Sequence, residues 1–150
     1  MGLAKDVYFI YFTTIICQGG VNKIIEYTGE GLKELSLTDR ATICNMGAEL
    51  GATTSVFPTD EITKEYLIQQ GREEDYVELK ADEDATYDEE ITVDLSKLVP
   101  LTAKPHSPDA VVPVSELRGM KINQVVIGSC TNSSLPDMLK AAKNLKRKKK

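Results

Sequence analysis

Cysteine, histidine and tryptophan are scarce in this sequence. It has three cysteines, one histidine and no tryptophan among 150 residues. Because Cys17, Cys44 and Cys130 are odd in number and widely spaced, they exclude the disulfide framework that small secreted domains use. The one histidine, His106, lies in the proline-rich stretch KPHSPD, where we expect a surface residue and not a catalytic base.

Long hydrophobic runs are also missing. The most apolar stretch is VYFIYFTTIIC, residues 7–17, which is followed closely by two glycines. It is too short to span a bilayer, and its flanks lack the features of a signal peptide. We therefore predict a cytoplasmic protein that has no membrane partner.

Charge is distributed unevenly along the chain. Six positive charges lie in residues 143–150, so the rest of the chain carries −11 against −5 for the whole. Such a tail supports only weak, salt-sensitive contact with nucleic acid, so RNA is not an expected partner. The acidic residues of segment 72–90 lack the spacing of a calcium loop, which favours a solvated surface over a metal site.

Periodicity predicts alternating helices and strands. Helices are expected at residues 3–16, 41–50, 60–70 and 133–145, and strands at 22–27, 53–57, 91–95 and 123–128. Thr38 or Asp39 is the predicted N-cap of the second helix, and Thr59 that of the third. This order predicts an α/β fold, a truncated three-layer α/β/α sandwich with a mainly parallel sheet.

Four prolines follow one another between residues 100 and 113 and suggest a domain boundary. We expect an α/β domain at residues 1–98, a proline-containing linker at 99–118, and the first β–α unit of a further, truncated domain with a basic tail at 119–150. A unit this small does not bury its own core. Its apolar side chains should therefore be exposed, namely Val125, Val126, Ile127, Met138 and Leu139.

The first candidate site lies in VVIGSCTNSSLPDM, residues 125–138. A strand that ends at small residues before a helix would place Cys130 at a sheet edge where α/β proteins bind ligands. The free N–H groups of a helix start lower a thiol pKa, which suits a thiolate ligand for a metal or cluster. Turn geometry alone, however, favours a small buried apolar residue at this position.

The second candidate site lies in ATICNMGAELGATTSVFPTDE, residues 41–61. If this stretch is helical, Asn45 and Glu49 share a face beside small residues that would admit a cofactor. On spacing alone, a capping Asn and a solvated Glu are the favoured interpretation. Cys44 would point about 100° away from Asn45, so we expect it in the core.

Together the two motifs resemble those of the aconitase and isopropylmalate dehydratase superfamily, large-subunit type, over about residues 3–145. The sequence ATTSVFP looks more like that of aconitate hydratase. The resemblance implies an aconitase-type iron–sulfur domain in which Cys130 is one of three thiolates of a [4Fe–4S] cluster. It also implies that Asn45 and Glu49 face the cluster and the substrate hydroxyl.

The resemblance further implies reversible dehydration of a tricarboxylic acid, citrate to isocitrate through cis-aconitate. In this chemistry an iron acts as a Lewis acid on the leaving hydroxyl. Glu49 would handle the proton or orient the bound water, and Asn45 would support the cluster ligands. An isopropylmalate or homoaconitate hydro-lyase is the alternative within the superfamily, and a non-catalytic interaction or RNA-binding module is the alternative outside it.

The chain departs from the superfamily pattern in one decisive respect. The C-x-x-C pair that supplies the other two cluster cysteines is absent, and a single cysteine cannot hold four irons. We therefore expect a fragment, the second domain and the start of the third, that is inactive alone and does not retain the cluster. Its partners would be the remaining domains of the parent protein and the tricarboxylic acid substrate.

Overall fold

The computed structural model describes residues 6, 7, 10, 19–108 and 110–146. The helix predicted at residues 3–16 lies outside the described residues except at Asp6, Val7 and Ile10, which have helical backbone. Cys17 and the basic residues 147–150 also lie outside them. None of the described helices is long and apolar enough to cross a membrane.

Helices and short strands alternate in the first part of the described chain, and a pair of strands and then two helices follow, which is compatible with an α/β fold. In chain order they are β1 (Ile24–Glu26), α1 (Leu37–Met46), β2 (Thr54–Val56), α2 (Glu61–Gln69), β3 (Leu101–Ala103), β4 (Val111–Pro113), α3 (Ser129–Asn132) and α4 (Leu135–Lys146). Single 3₁₀ segments lie at Glu30–Glu34, Gly47–Leu50, Glu73–Asp75, Leu95–Lys97 and Val114–Leu117.

The strands form two small sheets. β1 and β2 pair in parallel, with Ile25 opposite Ser55, and this confirms the strands predicted at residues 22–27 and 53–57. β3 and β4 pair antiparallel, with Thr102 opposite Val112. This hairpin lies inside the stretch that the prolines predicted to be an extended linker, so that stretch has regular structure of its own.

Two predicted strands are wrong for the described chain. Residues 91–95 form no ladder and lead into the 3₁₀ segment Leu95–Lys97, and residues 123–128 form none either. A strand is stabilised by hydrogen bonds to a neighbour, and the described chain supplies no neighbour at either place. The three-layer sandwich and the domain boundaries at residues 98 and 118 stay predictions.

The N-cap of α1 is Ser36 and not the predicted Thr38 or Asp39. The Ser36 hydroxyl accepts a hydrogen bond from the Asp39 backbone N–H at 3.2 Å, and the Asp39 carboxylate accepts one from the Ser36 N–H at 3.1 Å. This reciprocal capping box makes the serine the better start. The helix ends at Met46 rather than Leu50, and the 3₁₀ segment after it closes on Gly51, whose φ of 75° suits a glycine.

α2 is capped by Asp60 and not by Thr59. The Asp60 carboxylate accepts from the Thr63 N–H at 3.1 Å. The Thr59 hydroxyl has other partners, because it donates to the Val77 carbonyl at 3.0 Å and accepts from the Leu79 N–H at 2.6 Å. The predicted cap is therefore used to hold the following segment against the helix start.

The core is built around α1. Ile43 and Leu50 are completely buried. Around Leu50 and Met46 pack Ile25 of β1 and three residues of the hairpin, Leu101, Ala103 and Val111. Around Ile43 pack Val7, Tyr27, Leu32, Leu35, Phe57, Val93, Leu95 and Leu98. The hairpin therefore lies against the same core as β1. We refer to the described residues before 119 as the packed body.

Arg40 fixes α1 to its neighbours from inside this body. Its side chain is 2% exposed and donates hydrogen bonds to the Leu32 carbonyl at 2.9 Å and to the Asp60 carboxylate at 2.6 Å. The hydrogen bond from Arg40 is the main reason that the pKa of Asp60 is lowered. One buried guanidinium thus connects α1 to the 3₁₀ segment before it and to the start of α2.

The C-terminal segment, residues 119–146, has no such core. No side chain described in it is buried. The predicted exposure of its apolar residues is confirmed, since Val125, Val126, Ile127, Met138 and Leu139 are 43–82% exposed. The segment touches the body where α3 meets α1, and this contact contains the candidate site.

Candidate functional site

The two candidate motifs meet at Asn45 and Cys130. The Cys130 sulfur, on α3, lies 3.7 Å from the Asn45 side-chain oxygen, on α1, although the two residues are 85 apart in the chain. The Thr131 hydroxyl donates to the same oxygen at 2.9 Å. Cys130 is exposed, so the interpretation of this cysteine as a small buried core residue is wrong for this chain.

A second hydrogen bond holds the two elements together. The Thr42 side chain is buried on α1, and its hydroxyl donates to the Thr131 backbone carbonyl at 2.9 Å. Sequence reasoning missed Thr42 and Thr131. The available signal was the i, i+3 spacing of Thr42 and Asn45, which places both on one side of a helix.

The cysteine follows a constrained turn. Ser129 has a φ of 75°, left-handed backbone that costs a residue other than glycine on the order of 1 kcal/mol. Its hydroxyl lies 3.7 Å from the Cys130 sulfur, and its carbonyl accepts a hydrogen bond from the Ser133 hydroxyl. These contacts hold the turn in a shape that presents the thiol to solvent beside α1.

The surroundings of Cys130 favour its thiolate. Hydrogen bonding to the Ser129 side chain, then contact with the Asn45 amide, lowers the pKa of the thiol, and Thr131 adds to the effect. The predicted direction is therefore confirmed. The cause differs from the prediction, because neighbouring side chains and not a long helix N-terminus supply the stabilising contacts.

Cys44 has the opposite character. Its thiol is half-buried and donates to the Ser55 carbonyl of β2 at 3.7 Å. Burial raises the pKa of this thiol, which supports the interpretation of Cys44 as a packing residue. Close packing continues at Gly47, where a Cβ would lie 2.6 Å from the Ser55 hydroxyl oxygen, so glycine permits this approach of α1 to β2.

Glu49 lies beyond the end of α1, in the 3₁₀ segment Gly47–Leu50, and is exposed. The continuous helix assumed for this residue and Asn45 is therefore wrong. A 3₁₀ segment turns about 120° per residue, compared with about 100° in an α-helix. Glu49 is consequently rotated further from Asn45 than a continuous α-helix would place it, and its catalytic role stays a prediction.

The described donor set fits one ligand of a [4Fe–4S] cluster and not a complete set. Cys130 is exposed with a lowered thiol pKa, as a thiolate ligand requires. Cys44 faces Ser55, and no three of the described His, Cys, Asp and Glu residues form a group that could hold a metal ion. A four-iron cluster needs several thiolates, which residues outside this set would have to supply.

Two further predictions about the surface are confirmed. His106 is exposed in the connection between β3 and β4, as expected for a surface residue. The acidic segment at residues 72–90 is exposed at all described positions except Tyr76, which is half-buried. Both features therefore lie on the solvated surface of the packed body.

A sequence model of the aconitase family (aconitate hydratase) matches residues 2–150. The chain belongs to the aconitase family. The match includes both candidate motifs and the segment between them. The resemblance that those motifs carry is therefore confirmed at the level of the family.

Curated relatives point to one branch of this family. The chain is 44% identical over 146 residues to 3-isopropylmalate dehydratase large subunit 2 of Archaeoglobus fulgidus, covering 97% of this chain and 35% of that protein. It is 44% identical over 142 residues to the protein of the same name from Rubrobacter xylanophilus, covering 95% and 33%. It is 42% identical over 146 residues to 3-isopropylmalate dehydratase large subunit 1 of Thermotoga maritima, covering 96% and 35%.

These names change one expectation. The ATTSVFP wording, residues 52–58, favoured aconitate hydratase, whereas the relatives named above are 3-isopropylmalate dehydratase large subunits. A seven-residue similarity is weaker information than identity over nearly the whole chain, so the comparisons favour the isopropylmalate dehydratase relatives over aconitate hydratase. The chain spans about a third of the length of these relatives.

Proposed function

We propose that this chain is part of the large subunit of an iron–sulfur hydro-lyase of the 3-isopropylmalate dehydratase type. Identity of 42–44% to large subunits of that name supports this branch over aconitate hydratase. The proposed reaction is reversible removal of water from a hydroxy acid, with 3-isopropylmalate as the substrate in place of citrate. The proposal includes the three-layer sandwich and the domain division at residues 98 and 118.

The contact between Asn45 and Cys130 is the observation that carries the proposal. It brings an exposed thiol with a lowered pKa against a polar side chain on a rigid, core-bound helix. In the proposed enzyme Cys130 supplies one thiolate to a [4Fe–4S] cluster, and Asn45 orients it. When bound, such a cluster supplies a Lewis-acidic iron for the leaving hydroxyl.

Glu49 is the proposed acid–base residue. It is exposed one short segment beyond Asn45, so it can meet a substrate without first leaving a buried position. Because the 3₁₀ segment rotates Glu49 away from the direction of the Asn45 side chain, we propose that Glu49 approaches the substrate from a different side than Cys130 does. A carboxylate in this role holds or delivers one proton of the substrate.

The proposed activity requires protein that this chain does not contain. The chain spans about a third of its relatives, and one thiolate cannot hold the cluster. We propose that the remaining domains supply the other ligands and the groups that bind the substrate carboxylates. The relatives are named as large subunits, which supports a second, smaller subunit as a further partner.

The cluster is tested in the parent protein that contains this segment, reconstituted with iron and sulfide. Cys130→Ser should abolish the visible absorption of the cluster, because serine removes one of few thiolates. Cys44→Ser is the matched control and should retain the absorption, since the Cys44 thiol faces Ser55. Equal loss in both variants, or no loss in either, would exclude Cys130 as the specific ligand.

Substrate choice is tested on the same reconstituted parent with its small subunit. We expect turnover of 3-isopropylmalate to exceed that of citrate, measured through absorbance of the unsaturated intermediate. Faster turnover of citrate would return the assignment to aconitate hydratase. The isolated chain should turn over neither acid, and measurable turnover by it would contradict the need for other domains.

A further inference from the structure

We propose that Thr42 is a positioning residue that holds the cysteine turn, residues 128–133 around Cys130, on α1. Its hydroxyl joins the core-bound helix to the backbone on the C-terminal side of the cysteine. The Cys130 sulfur reaches α1 at the Asn45 side-chain oxygen, 3.7 Å away, and both residues are exposed. The backbone bond from Thr42 is therefore the contact that determines where the turn lies.

The Thr42 hydroxyl has an alternative that it does not use. A threonine within a helix can return its hydrogen bond to the carbonyl one turn earlier in the same helix. Here the hydroxyl reaches a carbonyl 89 residues away, at 2.9 Å. The Thr42 side chain is 7% exposed, so breaking this bond would remove the hydrogen-bond partner of a buried hydroxyl.

The rest of the C-terminal segment increases the importance of this bond. No described side chain in residues 119–146 is buried, so apolar packing does not hold the segment on the body. The described hydrogen bonds that join α3 to α1 involve Thr42 and Asn45. Of these two, Thr42 is buried and Asn45 is exposed, and a hydrogen bond shielded from water is the more persistent.

The functional meaning of this contact rests on the proposed function, but its test does not. Disulfide trapping reports on the distance between two side chains, whether or not a cluster ever binds. If the trapping result contradicts the role of Thr42, the cluster and substrate assays still test the proposed function. If those assays fail, the trapping result still tests the contact between Thr42 and the cysteine turn.

The experiment uses the chain with Asn45→Cys, and with Cys17→Ser and Cys44→Ser so that two thiols remain. Under mild oxidation, residues 45 and 130 should form a disulfide, because the Cys130 sulfur lies 3.7 Å from the Asn45 oxygen. Asn45→Cys also removes the hydrogen bond from Thr131, so among the described side chains Thr42 then supplies the remaining hydrogen bond between α1 and α3.

Thr42→Val keeps the shape of the side chain and removes the hydroxyl. It should slow disulfide formation roughly fivefold, the ratio that corresponds to one hydrogen bond of about 1 kcal/mol. Thr42→Ser keeps the hydroxyl and should retain the original rate. Circular dichroism checks that each variant is folded. If the valine variant unfolds, Thr42→Ala and Thr42→Ser, which differ by the hydroxyl, provide the same comparison.

Two results would overturn the proposal. One is an unchanged trapping rate when the hydroxyl is removed from a folded protein. The other is equal slowing by the serine and alanine variants, which would assign the effect to lost packing of the methyl group. Slowing that follows the hydroxyl supports the proposal.

Discussion

The packed body and the C-terminal segment of this chain differ in how they are held. Leu50, in the body, is completely buried, whereas Leu139, on α4, is 61% exposed. The body is organised around α1, with apolar packing on two sides and an ion pair between buried Arg40 and half-buried Asp60. The C-terminal segment, residues 119–146, meets this body through hydrogen bonds to α1.

This difference shows which contacts position the two halves of the candidate site. One half of the site, Asn45, is carried by a helix that the core fixes. The other half, Cys130, is carried by a segment without a core of its own, so its position depends on a few polar contacts. This arrangement predicts that anything which covers the apolar face of α4 will also stabilise the cysteine turn.

The largest expected difference between the two regions is in amide hydrogen exchange. Amides in the middle of α1, around Ile43, should exchange only through opening of the body, while those after residue 120 should exchange through local fraying. We expect rates at least roughly a thousandfold apart, measured residue by residue by NMR. Protection in α4 that equals protection in α1 would contradict the comparison.

Next in size is a matched pair of leucine substitutions. Leu50→Ala removes a fully buried side chain and should lower the free energy of unfolding by about 2–5 kcal/mol. Leu139→Ala removes an exposed one and should change it by no more than about 0.5 kcal/mol. Urea unfolding measures both, and similar losses would mean that α4 shares the core.

The ion pair between Arg40 and Asp60 should give a smaller, pH-dependent effect. Because the Arg40 hydrogen bond lowers the pKa of folded Asp60, ionised Asp60 stabilises the fold. This contribution is complete above the unfolded aspartate pKa of about 3.9 and is lost as the pH falls through the lowered folded value.

Asp60→Asn tests this contribution, since asparagine can still cap α2. Asp60 is about one-third exposed, so we expect a loss of about 1–2 kcal/mol at neutral pH. The free energy of unfolding of the variant should depend less on pH below about pH 4 than that of the unmodified chain. An identical acid dependence in both proteins would exclude Asp60 as the responsible group.

The smallest effect is expected at an exposed ion pair of the body. Lys23 and Glu89 lie 2.7 Å apart with side chains about half exposed. Lys23→Ala should lower the free energy of unfolding by no more than about 1 kcal/mol, because water screens such a pair. A loss as large as that of Leu50→Ala would mean that surface charge, and not the core, holds the body.

Local sequence signals predicted the parts of the fold that local interactions determine. The β-branched stretches around Ile25 and Ser55 predicted β1 and β2, and helix-forming residues predicted α2 and α4 within a few positions. The caps were missed because several residues that can cap stand next to one another. Ser36 is the N-cap because its capping box with Asp39 satisfies two backbone groups, a detail that spacing alone does not resolve.

Features set by distant contacts could not be predicted in this way. The end of α1 depends on close approach to β2 at Gly47, and the hairpin of β3 and β4 depends on packing against Leu50. The meeting of Asn45 and Cys130 was expected through family resemblance, not through spacing. Thr42 was missed because its i, i+3 spacing to Asn45 indicates a shared side of the helix but does not identify a carbonyl acceptor 89 residues away.

The central claim is that the cysteine turn lies against α1 in the unmodified chain. The most direct measurement is NMR detection of nuclear Overhauser effects between the side chains of Asn45 and Thr131, whose oxygens lie 2.9 Å apart. We predict cross-peaks between the Asn45 β-protons or amide protons and the Thr131 side chain, with weaker ones to Cys130. With all three residues assigned, the absence of any such cross-peak would contradict the claim.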